Sequence, residues 1–160
     1  MRSVNSLPEG IKGNQEAVAE TIANNVRSKI IKEQLNDPAY YDKMSKLLEE
    51  IIRDLKARRL DYEEYLKKIA ELAKQVQTGQ AETMPEQLNT PGRRALYNNL
   101  GEDEELAVKL DDAVKRVRSD AWRGHQAREN EIKRALLPLL SNDPAEVERI
   151  FLIIKQQQEY

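Results

Sequence analysis

The chain has 160 residues, 39% hydrophobic and 34% charged, with a formal net charge of −2, no cysteine and one histidine. Those figures allow one domain with a modest core and exclude disulfides, thiolate metal sites and a histidine-based metal cluster. Aromatics at 5% argue against a sheet protein, and the near-neutral charge supplies no global field for nucleic acid or membrane, so any such preference must be local.

No apolar run is long enough to span a bilayer, and the polar start Met1-Arg2-Ser3-Val4-Asn5 lacks a signal-peptide hydrophobic region. The expectation is a soluble, cytoplasmic, all-α protein, an irregular bundle of about six helices around one long helix.

Residues 1–13 contain Pro8, Gly10 and Gly13 and no helical period, so they read as a linker from something upstream to a helical domain over 14–160. Asn14 suits the N-cap of a first helix with the stripe Val18, Ile22, Val26 and Ile30, and Leu35 further on. Asn36-Asp37-Pro38 ends it. Asp37 then caps the next helix with Pro38 at its first position, where the missing N–H costs nothing. The turn predicts that these two helices are antiparallel neighbours.

From Leu48 the steps alternate four and three through Ile52, Leu55, Arg59, Tyr62, Leu66, Ile69, Ala73 and Val76, the pattern of a heptad seam. The unbroken phase predicts one helix over 40–76, roughly 55 Å long at ~1.5 Å per residue. The competing reading stops near Arg59-Leu60 and restarts at Asp61, whose spacing to Glu64 fits an N-cap. Arg59 within the seam reads as a packed stem with a solvated guanidinium. Tyr40, Tyr41, Tyr62 and Tyr65 should pack along the spine with hydroxyls at its edge.

The period fades after Val76, and 77–89 reads as a flexible connection. Thr90-Pro91 opens a short helix over 92–100 that Gly101 closes, and a helix over 102–117 follows with Leu106, Leu110, Ala113, Val114 and Val117 inward. Its acidic first turn and basic last turn match a helix dipole. A break over 119–125 holds Trp122 and Gly124. Helix resumes through Glu129, Ile132 and Leu136 until Pro138, and Asp143-Pro144 starts a last helix bearing Val147, Ile150, Phe151 and Ile154. Leu152 and Ile153 widen that apolar face, which predicts burial on more than one side or docking on a partner, with Phe151, Leu152 and Ile153 as the docking residues.

No phosphate-cradling glycine loop or nucleophile–base pair emerges, so no catalytic, cofactor or metal residue is assigned to the chain. His125 and Glu129, four apart, read as ordinary helix-start residues rather than a ligand pair. The one charge concentration is Lys115, Arg116, Arg118, Arg123, Arg128, Lys133 and Arg134, with Trp122 in its middle. It fits a phosphate- or partner-contacting surface with a stacking aromatic, or dipole-matched helix ends around a tryptophan that anchors the loop.

Several ordered segments, Asn5 to Ile11, Ile22 to Arg27, Tyr41 to Ser45, Thr90 to Leu100, Trp122-Arg123-Gly124 and Glu146 to Tyr160, resemble the C-terminal region of the restriction (R) subunit of type I restriction-modification enzymes. The resemblance spans nearly the whole chain without a catalytic signature. His125 stands where that family usually has asparagine, which weakens the helix cap there. The resemblance implies a helical part of a large motor whose nuclease and ATP- and Mg-dependent helicase lobes lie upstream. The implied role is to attach that DNA-translocating and DNA-cleaving motor to the methyltransferase (modification) and specificity core, and to steady the helicase lobes. Direct DNA contact through 115–134 and self-association through the heptad seam are the alternatives.

Overall fold

The computed structural model describes residues 9–79 and 84–160. Their helices are α1 (Glu9–Glu33), α2 (Pro38–Lys56), α3 (Tyr62–Thr78), α4 (Pro91–Asn99), α5 (Glu104–Val117), α6 (Gln126–Leu136) and α7 (Pro144–Gln156). Short 3-10 turns occupy Gln34–Asn36 and Leu137–Leu140, and the described residues contain no strand. The all-α class with about six helices agrees with the sequence reading. The chain divides into two compact units, one of α1, most of α2 and α3, the other of Leu35–Tyr40 with α4 to α7.

The helix starts earlier than Asn14: residues 9–13 belong to α1, while the first eight positions of the expected linker lie outside the described residues. The inward stripe of α1 is Ala19, Ala23, Val26 and Ile30; Val18 and Leu35, expected inside, are 47% and 67% exposed. Small residues on this face let α3 approach closely, and the buried Tyr65 hydroxyl donates to the Ala19 carbonyl at 2.8 Å. The closest neighbour of α1 is therefore α3 and not α2.

The long helix is broken, and the competing reading is the one observed. Arg58 takes a left-handed conformation (φ 59°). Arg58 N–H donates to the Leu55 carbonyl at 3.1 Å and Arg59 N–H to the Asp54 carbonyl at 2.9 Å, the paired bonds of a Schellman stop. Asp61 then caps α3, its Oδ1 accepting from Glu64 N–H at 2.8 Å. A left-handed arginine costs roughly 1–2 kcal/mol. The cap contributes ~1 kcal/mol, and burial of Leu60 adds more, so the stop wins. Arg59 lies in the turn, exposed, 3.4 Å from Asp54, and not in a seam. The buried stripe of α3 is Tyr62, Tyr65, Ile69, Leu72 and Val76, with Leu66 and Ala73 half-buried beside it. Tyr62 and Tyr65 stack with ring centroids 6.4 Å apart, and the Tyr41 hydroxyl donates to the Val76 carbonyl at 3.3 Å. Of the expected flexible connection, 77 and 78 are helical and Gly79 closes α3 at φ 70°; residues 80–83 lie outside the description.

In the second unit Thr90 and Asp143 cap as expected, accepting from the N–H groups of Arg93 and Ala145. Asp103, expected inside the helix, is instead the N-cap of α5 and accepts from Leu106 N–H, while His125 occupies its N-cap position without a side-chain bond. Leu96, Leu110, Val114, Ile132, Leu136, Ile150 and Ile154 form the centre of its core, each fully buried. Each such side chain contributes roughly 1.5–3 kcal/mol relative to exposure.

Candidate functional site

Three of the seven cations of the basic stretch, Lys115, Arg118 and Arg123, close on the segment 155–160 and make a clasp. Loop 118–125 brings Arg123 onto that segment, where Nε donates to the Lys155 carbonyl at 3.0 Å and the terminal nitrogens donate to the carbonyls of Tyr160 (3.2 Å) and Gln157. The Arg123 guanidinium also lies over the Trp122 ring, 4.5 Å from its centroid. Trp122 itself is buried, packs edge-on against Phe151 at 5.7 Å and donates from Nε1 to the Tyr160 main-chain oxygen at 3.2 Å. Arg118 donates to the Glu159 carbonyl. An arginine suits this work because its planar fork reaches several carbonyls at once.

The other end of the clasp is a buried carboxylate that the sequence reading missed. Asp111 is fully buried on α5 and accepts from the Tyr160 hydroxyl at 2.5 Å and from Arg93 Nε at 2.8 Å, with Lys115 Nζ 3.1 Å away. Burial opposes its charge, yet the bonds from Tyr160, Arg93 and Lys115 outweigh that, and its pKa falls below the usual carboxylate value. Burial, reinforced by the Asp111 bond, pushes the Tyr160 phenol well up. Lys115 also pairs with Glu159 at 3.2 Å and sits over the Tyr160 ring. Gly92 completes the contact: its N–H donates to Glu159 Oε1 at 2.5 Å, and a Cβ there would lie 2.5 Å from that oxygen and 2.6 Å from the Tyr160 hydroxyl. Only glycine leaves room.

Of the remaining predicted cations, Arg128 donates to the Asp120 carbonyl at 2.7 Å, and Lys133 pairs with Glu148 at 3.0 Å while lying over Phe151. Arg116 and Arg134 are exposed, and neither has an ion-pair or hydrogen-bond partner among the described residues. The predicted docking face is likewise corrected. Phe151 and Ile153 are 2% and 4% exposed within their own unit, which leaves Leu152, at 60%, as the outward residue. A helix apolar so far round is here buried on several sides. His125 and Glu129 do not converge on a ligand either: Glu129 accepts from Gly124 N–H at 2.6 Å and pairs with Lys155 at 3.1 Å.

A second buried node joins the start of α2 to α4. Asp37 accepts from the side-chain amides of Asn99 (2.7 Å) and Asn98 (2.9 Å) and from Tyr40 N–H (3.2 Å), and Asn99 Oδ1 accepts from Ala39 N–H at 3.1 Å. Desolvation exceeds these bonds and raises the Asp37 pKa to about 6. Gln157, buried, reaches the Asn36 carbonyl and ties the clasp segment to the same place. Both nodes are hydrogen-bonded networks whose carboxylates accept from fixed protein donors, an arrangement that holds chain segments in register. Among the described residues no group of three or more His, Cys, Asp or Glu is placed to hold a metal, and no helix is long and apolar enough to cross a membrane.

No protein-family model, curated protein or solved structure matches this chain.

Proposed function

We propose that the chain is the helical assembly module of a type I restriction R subunit, attaching an ATP- and Mg-dependent DNA motor to its methyltransferase and specificity core. The supporting observation is where the family-like segments fall. Thr90–Leu100, Trp122-Arg123-Gly124 and the 146–160 stretch, far apart in sequence, meet in the clasp: Gly92 on Glu159, Trp122 on Tyr160, and Arg123 on Lys155 and Gln157. The resemblance thus rests on residues that set shape, as suits a part that grips rather than turns over substrate. The cytoplasm follows from the same reading.

The alternatives have less to stand on. Lys115 and Lys133 pair with carboxylates and Arg118, Arg123 and Arg128 spend N–H groups on main-chain carbonyls, work that favours holding the fold over reading phosphates. Self-association through a long seam loses its seam at Arg58. The test is a pull-down of purified methyltransferase–specificity core on the immobilised chain, without DNA or ATP. Recovery of the core supports the reading. Recovery only when DNA is added, or none at all, overturns it.

A further inference from the structure

The first unit carries a groove that none of these contacts uses. It lies between α2 and α3, where Leu47, Ile51 and Asp54 face Lys68, Leu72 and Gln75, and it is open to solvent with a volume of about 260 Å³. Leu72 is buried and Leu47 and Ile51 are half-buried, so an apolar floor is already in place. The rim carries Glu50, Asp54 and Glu71 against the single cation Lys68. Glu50 and Glu71 are exposed and have no ion-pair partner among the described residues; Asp54 meets only Arg59, whose side chain is 71% exposed. Each wall spans two helical turns, a slot roughly 10 Å long at ~1.5 Å per residue.

We propose that this groove docks a basic amphipathic helix from a partner protein. Two apolar side chains three or four positions apart would fill the floor between Leu47, Ile51 and Leu72. Lysine or arginine one turn away would then face Glu50, Asp54 and Glu71. A helix fits better than a strand, because the walls are helices whose backbone groups are paired internally and offer no sheet edge. With Asp54 beside Arg59, Glu50 and Glu71 are the rim carboxylates without an ion-pair partner among the described residues, and they favour a basic occupant over phosphate or an acidic peptide. The inference stands apart from the assembly proposed above, since it uses only the α2–α3 surface.

The probe is a fluorescein-labelled peptide of about 18 residues, long enough to form helix on a surface, with leucines at i, i+3, i+4 and i+7 and lysines around them. Its twin carries glutamates in place of the lysines. Fluorescence anisotropy against the full chain should show saturable binding of the lysine peptide and at least about tenfold weaker binding of the twin. Glu50→Lys with Glu71→Lys, both at exposed positions, should weaken the lysine peptide about tenfold at unchanged helicity, since two rim pairs are reversed. Amide exchange should slow over 47–54 and 68–75 when the peptide binds. Equal binding of both peptides, no response to the charge reversal, no binding at millimolar peptide, or protection elsewhere would each overturn the proposal. So would sedimentation showing that a second copy of the chain already fills the groove.

Discussion

Alanine at position 92 measures how tightly the clasp is closed. In most helices glycine to alanine gains about 0.5–1 kcal/mol. Here the new Cβ would sit 2.5 Å from Glu159 Oε1 and 2.6 Å from the Tyr160 hydroxyl, so both must move. Glu159 has a flexible end and forfeits little beyond its bond from Gly92 N–H. Tyr160 is stiff, and its hydroxyl is committed to the buried carboxylate of Asp111 at 2.5 Å. Losing a bond of that charged kind costs roughly 1.5–3 kcal/mol. Set against the helix gain, Gly92→Ala should destabilise the second unit by about 1–2 kcal/mol. Urea unfolding followed by the emission of Trp122, the only tryptophan and a buried member of that unit, reads this directly. With Glu159→Ala and Tyr160→Phe already in place, the atoms in the way are gone, and the same Gly92→Ala change should become stabilising. A neutral Gly92→Ala in the unaltered chain, or one cost on both backgrounds, would refute the packing described.

Asp37 has a folded pKa of about 6 against 3.8 for the free group. Because the folded value is raised, its contribution is fully present below pH ~4 and is lost as pH rises through ~6, by up to roughly 3 kcal/mol. Unfolding measured from pH 4 to 7 should show that slope, and Asp37→Asn should flatten it; an unchanged slope would contradict it. Arg58→Gly should stabilise by roughly 0.5–1 kcal/mol in thermal unfolding, because glycine takes the left-handed position freely. A continuous helix there predicts a loss of similar size. Arg123→Ala should cost about 1.5–3 kcal/mol and shift Trp122 emission to the red, whereas Arg116→Ala and Arg134→Ala should stay within about 0.5 kcal/mol. Equal effects of the three would mean that the clasp contacts do not hold.

What the sequence disclosed was local chemistry. Thr90-Pro91, Asp37-Pro38 and Asp143-Pro144 announced helix starts because capping and proline act over three residues. The stop at Arg58 stayed hidden because its left-handed position carries no glycine and the apolar spacing continues across it unchanged. In α1 Val26 and Ile30 lie inward as expected, but the larger Val18 and Ile22 drew the start of the stripe one position off the face that Ala19 and Ala23 present to α3. The clasp was illegible for a different reason: its acceptors are main-chain carbonyls more than thirty residues from Arg123, and carbonyls leave no trace in a sequence. Asp111 did leave one. It falls on the face of Ala107, Leu110 and Val114, where a carboxylate needs partners.

The central claim is that this chain holds a protein partner and not DNA. It is tested most directly by titrating the fluorescently labelled chain with the methyltransferase–specificity core, without DNA, at low and at moderate salt. The account predicts a saturable one-to-one complex whose affinity changes little with salt. No complex, or a labelled chain that responds only to duplex DNA with steep salt dependence, would contradict it.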